Sequence, residues 1–318
     1  MIAKNGAYPS VADDGTLLYQ DVPIGPRQLV WVDRQGQVLN RIGSPQESMR
    51  HLSLSPDGGQ VAVAVITDNK EDVWIYDTQQ GDRQRLTSPP GPHFAPVWHP
   101  DEDLIAFWNN PYPEGIYMKS PGGSDPARFL LTGDHPSWSR DGRYLLYAGY
   151  TPQTSHDLWY IPLSGDHIPR PILQTPYDMR LPILSPDGHY VVYVSDESGQ
   201  FEVYVCRFPS GDDIRQITIN GGHYPRWNDR GDELFYVEGN TLISIGVKTD
   251  PVFSMETPQR LFNGDEHGIQ FYDHLDGVGH TYDVTPDGER FVVIQDQQDS
   301  KPSMVIVENW FGEFKDRN

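Results

Sequence analysis

Short apolar runs of about four to six residues recur along this chain, and clusters of Pro, Asp and Gly interrupt them. Short apolar runs bounded by turn residues predict short β-strands, and the interruptions predict tight turns. No segment sustains a helical period over 11 or more residues; Glu308–Lys315 has the pattern for only one or two helical turns. The strands come in a fixed order. A first run ends in a Pro-Asp-Gly-like turn, as in Leu52-Ser-Leu-Ser-Pro-Asp-Gly58 or Pro182-Ile-Leu-Ser-Pro-Asp-Gly188. A second apolar run follows, such as Val61–Val65 or Tyr190–Val194. A third often opens on an acid and an aromatic, as in Asp72-Val-Trp-Ile-Tyr76 and Asp157-Leu-Trp-Tyr-Ile161. A short fourth closes the unit, as at Arg128–Leu131.

The turn phrase occurs seven times, ending at positions 15, 58, 102, 142, 188, 231 and 288, with steps of 43, 44, 40, 46, 43 and 57. A period of about 40–45 residues is that of a four-stranded propeller blade. In the turn, Pro presets φ, Asp bonds back to the backbone, and Gly takes a positive φ. Asp57, Asp101, Asp141, Asp187 and Asp287 are therefore turn residues, each in its own unit, and not paired catalytic carboxylates. The expected fold is an all-β propeller of four-stranded antiparallel blades occupying 1–318 as a single domain. Seven blades are favoured, with six plus an edge element as the alternative. The last unit, 281–309, supplies three strands, and Ile2–Asn5 is the expected fourth, which pairs the termini and removes free sheet edges.

Composition narrows the functional classes. The 24 Lys and Arg against 45 Asp and Glu leave a net charge of −21, a field that repels phosphate backbones and argues against nucleic-acid binding. No run approaches the roughly 18 apolar residues of a membrane helix. The single cysteine, Cys206, rules out an internal disulfide and a thiolate zinc site, and its apolar strand predicts an inert buried thiol. The first residues carry no export-signal pattern.

The repeated Ser-Pro-Asp-Gly turn with the Asp-Val-Trp-Ile-Tyr-Asp strand resembles the TolB-type, WD-repeat-like propeller repeat over nearly the whole chain. Gln28–Gly36, Ser195–Tyr204, Tyr282–Phe291 and Val307–Phe311 are similar to the propeller halves of bacterial serine/threonine kinase-associated proteins. That resemblance implies a protein- or peptide-binding module, a sensor or scaffold, in a periplasmic or other extracytoplasmic setting. It carries over no catalytic residue. A fold so widely used says little about function.

No Gly-x-Ser-x-Gly elbow, P-loop, His-Glu-x-x-His or EF-hand pattern is present. Geometry suggests one place for chemistry, because loops entering the innermost strands crowd one mouth of a propeller channel. Those loops contain Arg50, His51, His93, Asp134, His135, Asp178, Arg180, His223, Tyr224, Asp273 and His280. Hydrated, locally bonded channel residues are the plain expectation. A small acidic ligand could bind there, and His93, His135, His223 and His280 are candidates for a divalent metal. The expected protein is a monomer without a cofactor. It binds a protein, a peptide or a small ligand at the mouth. The alternative is a metal-dependent lyase or hydrolase on an acidic saccharide. Trp98, Trp138 and Trp227 recur in one column and predict blade-to-blade packing.

Overall fold

The computed structural model describes residues 6–12, 16–21, 26–68, 70–88, 91–110, 113–271, 280–297 and 303–307. Among them the one helical element is the 3-10 turn Gly264–Glu266, and no helix is long and apolar enough to cross a membrane. Strands account for the regular structure, as the short apolar runs between turns predict. The strands form seven sheets, the number of repeats in the sequence.

Six sheets of four or five antiparallel strands are blades. Their innermost strands are Ser48–Leu54, His93–Trp98, Asp134–Trp138, Met179–Leu184, His223–Trp227 and Tyr282–Val284, here taken as blades 1 to 6. Each inner strand packs on the next, and the sixth returns to the first, so these six close the ring around the axis. The seventh sheet has three strands, ordered Gly6–Val11, Leu17–Asp21, Ser303–Val307, and contributes none to that ring. The termini are thus paired twice, once in this sheet and once in blade 6.

Blade 6 is assembled differently from the expectation. Its order is Tyr282–Val284, Arg290–Asp296, Arg27–Asp33, Val38–Gln46. The C-terminal part supplies two strands, not three. The third and fourth come from Arg27–Asp33 and Val38–Gln46, while Ile2–Asn5 lies outside the described residues. Ser303–Val307, which the sequence reading placed in this blade, pairs with Leu17–Asp21 instead. The reason is in the pattern of the Arg27 strand: Gln28-Leu-Val-Trp-Val is a third-strand phrase, and Leu29, Val30 and Val32 are fully buried. It pairs in register from Arg27↔Asp296 to Asp33↔Arg290, with an ion pair from Arg27 Nε to Asp296 Oδ1 at 3.1 Å. Burying each such side chain stabilises by about 2 kcal/mol.

The inner strands share a kink that positions the site. His51, Ala95, His135, Leu181 and Tyr224 have φ between 44° and 54°, and the ladder register shifts at each. Left-handed φ costs an L-residue roughly 1 kcal/mol. In four blades the next residue is proline (Pro96, Pro136, Pro182, Pro225), which has no N–H to orphan when the ladder breaks. Blade 1 has Leu52 instead, and its N–H donates to His280 O of blade 6 at 2.8 Å. The donor freed by the kink therefore ties the seam where the ring closes.

The turns follow the predicted chemistry. Ser55, Ser139, Ser185 and Thr285 donate their hydroxyls to Asp57, Asp141, Asp187 and Asp287, whose carboxylates also accept backbone N–H groups. In blade 2, His99 takes the Ser position, and its Nδ1 accepts from the Asp101 and Glu102 N–H groups. Trp98 Nε1 donates to Ser53 O of blade 1 at 3.1 Å, and Trp138 Nε1 to Val97 O of blade 2 at 3.2 Å. Two of the three column tryptophans are thus hydrogen-bonded to the preceding blade, while Trp227 Nε1 has no hydrogen-bond partner among the described residues. Cys206 is fully buried, and burial pushes its thiol up to about 12, so it is inert.

Candidate functional site

At the strand-entry mouth, side chains from first and third strands meet. Alternation along the third strand decides which residues reach it. Asp72, Asp157 and Glu202 point inward and anchor the fourth-strand segment: Thr87 donates to Asp72, the Thr175 N–H to Asp157, and Thr218 to Glu202. The residue before each acid faces the other way, towards the mouth. These are Glu71, His156 and Phe201, and the sequence reading did not single them out. Their signal was present as the position preceding each third-strand acid.

Each of the three engages predicted mouth residues. Glu71 forms a two-pronged pair with Arg50, with Nε···Oε1 and NH2···Oε2 both 2.5 Å. His156 bridges blades 3 and 4, with Nε2 3.2 Å from Asp134 Oδ2 and Nδ1 2.9 Å from Asp178 Oδ1. Asp134 also meets His135 Nδ1 at 2.7 Å, and Asp178 binds Arg180. His135, Asp134, His156, Asp178 and Arg180 thus form one continuous network. Phe201 lies under the Arg180 guanidinium and against the His223 ring.

Burial opposes charge on His156, but hydrogen bonds and charges from Asp134 and Asp178 outweigh it and raise the imidazole to about 9. Burial likewise opposes charge on Asp178, which His156 and Arg180 nevertheless hold down at about 2; Asp134 is lowered further. Burial lowers His93, against the pull of Asp72 3.4 Å from its Nδ1, and lowers His223 to about 4. His51 and His280 are pushed well below the ordinary imidazole range by burial, helped by Arg50 and His135 for His51, and by Arg226, His135 and His51 for His280. His51, His135 and His280 therefore feel one another across the axis. The Tyr224 ring packs between His223, which is tilted to it, and His280, which meets it edge-on, and its carbonyl accepts from Tyr282 Oη. Asp273 lies outside the described residues, as do Tyr272 and His274 of the same loop.

The structure brings most of the predicted residues together, pairing Asp178 with Arg180 and Asp134 with His135, while Arg50 pairs with Glu71. Among the described residues, no group of three or more His, Cys, Asp or Glu side chains is placed to hold a metal ion.

The opposite, turn-side end of the channel is open. A funnel of about 200 Å³ is lined by equivalent residues of all six blades. Ser53, Val97, Ser137, Ile183, Arg226 and Asp283 line its wall. Pro56, Pro100, Arg140, Pro186, Asp229 and Pro286 form its rim. Arg140 NH1 pairs with Asp229 Oδ2 at 2.5 Å across the blade between them. Asp283 stands at the seam: its Oδ2 accepts the Leu54 N–H of blade 1 at 2.8 Å, and its Oδ1 lies 3.3 Å from Arg226 Nε of blade 5. Arg226 and Asp283 were absent from the sequence candidates, because they sit at the position that elsewhere holds Ser, Val or Ile.

No family model matches the chain. The Tol-Pal system protein TolB of Helicobacter pylori strain J99 is 27% identical over 169 residues, which is 50% of this chain. The match spans 40% of that relative's own length. Among solved structures, a putative TolB from Agrobacterium tumefaciens superposes with a TM-score of 0.67 at 16% identity, covering 85% of this chain and 98% of that one. An oligogalacturonate lyase in complex with manganese superposes with a TM-score of 0.50 at 14% identity, covering 96% and 98%. At these identities the structures share the fold.

Proposed function

We propose that this chain, which shares the TolB propeller fold, is a non-catalytic binding module that takes a protein or peptide partner at the turn-side funnel, in an extracytoplasmic setting. The observation that carries this reading is the rim. Pro56, Pro100, Pro186 and Pro286 ring the opening, all exposed or half-exposed, with the Arg140–Asp229 pair completing the circle. Proline rings present rigid apolar surface at little entropic cost, and an ion pair beside them supplies orientation. A funnel of about 200 Å³ accepts a side chain or chain end, not a folded domain. The strand-entry mouth is a weaker candidate, because its charges are already committed to one another.

A photo-crosslinking residue placed at Pro56 or Pro286 is expected to capture the partner, with Arg140→Glu abolishing capture. Crosslinks confined to the histidine mouth, at Tyr150 or Arg180, would overturn the assignment of the face. Tyr150 is a fair control, being well exposed beside His156.

A further inference from the structure

Resting on the reading of the funnel as a recognition site, we propose that its floor binds a carboxyl group together with one proton, between Arg226 and the imidazoles of His51, His135 and His280. The geometry supplies the groups. Arg226 and Asp283 line the funnel. His51 and His135 lie two residues before the funnel residues Ser53 and Ser137 on the same inner strands, about 7 Å deeper at strand rise. His280 is close enough to Arg226 to feel its charge. The three imidazoles are 1%, 3% and 8% exposed. Both nitrogens of His51, Nε2 of His135 and Nδ1 of His280 are buried without a hydrogen-bond partner among the described residues, and Arg226 Nε makes no well-aligned hydrogen bond although Asp283 Oδ1 lies 3.3 Å away. Buried polar atoms normally have partners, so a cluster on one axis points to a guest.

The donor and acceptor count calls for a guest that can both donate and accept, which a carboxylic acid does. His135 Nδ1 faces the Asp134 carboxylate and carries a proton there, so Nε2 accepts when the ring is neutral. Arg226 Nε–H can only donate. Neutral His51 offers one of each. A carboxylate alone offers only acceptors, and an ammonium only donors. A carboxylic acid offers an O–H to His135 Nε2 and a carbonyl to Arg226.

Charge balance leads to the same guest. Every cation packed around the site already has an anion. Arg226 faces Asp283, Arg50 faces Glu71, and Arg180 and His156 face Asp178 and Asp134, while burial lowers His93 and His223 despite nearby Asp72 and Glu202. Tyr224 and Tyr282 are neutral neighbours. No positive charge is spare, and the chain as a whole carries −21. An anion therefore enters with a proton from solvent, which either stays on the acid or passes to an imidazole nitrogen; in both cases one negative charge and one proton are taken up. The funnel holds roughly the volume of six waters, room for a small acid or a chain terminus.

The test is calorimetric titration with succinate, with trialanine, and with C-terminally amidated trialanine, in two buffers of different ionisation heat. Uptake of one proton per carboxyl is expected, with affinity rising about tenfold for each pH unit lowered between roughly pH 7.5 and 5.5. Arg226→Gln is expected to weaken binding tenfold or more. His51→Gln, which removes one imidazole of the site without disturbing the Asp283 seam, is expected to weaken binding tenfold or more should the Arg226 variant fail to fold. Binding of succinate alone assigns the site to a free acid, and binding of trialanine as well assigns it to a chain terminus. Equal binding of the amidated peptide, pH-independent binding, or no heat with any of the three would overturn the proposal. Succinate binding without rim crosslinks would leave this site standing and remove only the partner reading.

Discussion

His156 holds blades 3 and 4 together through a charge, and that charge can be titrated away. Its imidazole sits between Asp178 Oδ1 at 2.9 Å and Asp134 Oδ2 at 3.2 Å. It rises from 6.5 in the unfolded chain to about 9. A folded value above the unfolded one means that the stabilisation is complete below 6.5 and is lost as pH climbs through about 9. At about 1.4 kcal/mol per pH unit the ceiling is roughly 3.5 kcal/mol. The side chain keeps 16% of its surface in water, and screening brings the expected contribution to about 2 kcal/mol. Urea unfolding of wild type and His156→Gln, measured at about pH 6 and pH 9.5, isolates this term from general repulsion among the acidic residues. The two proteins should differ by about 2 kcal/mol at the lower pH and converge at the higher. Parallel pH profiles would refute the reasoning, as would a histidine NMR titration placing His156 near 6.5.

Trp98→Phe and Trp138→Phe should each cost about 1 kcal/mol beyond the lost area, because each removes a hydrogen bond to the neighbouring blade. Trp227→Phe should lack that increment, since its Nε1 has no partner among the described residues; equal losses in chemical denaturation would count against the blade-to-blade role. Asp283→Ala should cost about 3–5 kcal/mol by leaving Arg226 uncompensated and the Leu54 N–H without its acceptor, and a melting temperature unchanged within error would show that the seam closes without it. Manganese added to metal-free protein should leave the melting temperature unmoved, whereas a stoichiometric ion at the predicted histidines would revive the lyase reading. Cys206 should resist thiol reagents in the native state and react on unfolding, with fast native labelling as the contrary result.

The strand–turn–strand order, the turn network of Asp57, Asp141, Asp187 and Asp287, the tryptophan column and the inert Cys206 were legible in the chain itself. Each depends on residues within one repeat or on a pattern repeated at a fixed step, and local backbone sterics and alternation suffice to read it. The loops that gather at the histidine mouth were legible for the same reason, since each is placed by its own blade. What the sequence could not decide was how many repeats form the ring and which strands join its ends. Arg27–Asp33 reads equally well as the third strand of a first unit or of the last, and only pairing with Arg290–Asp296, about 260 residues away, selects the second. The role of each ionisable side chain was equally beyond reach. Arg50 and Arg180 look like free ligands until Glu71 and Asp178 occupy them, and Arg226, Asp283 and His156 look ordinary until the ring brings their partners from other blades. Charge and hydrogen bonding act over a few ångströms in space, and the distance between blades in space is set by closure of the ring, not by separation along the chain.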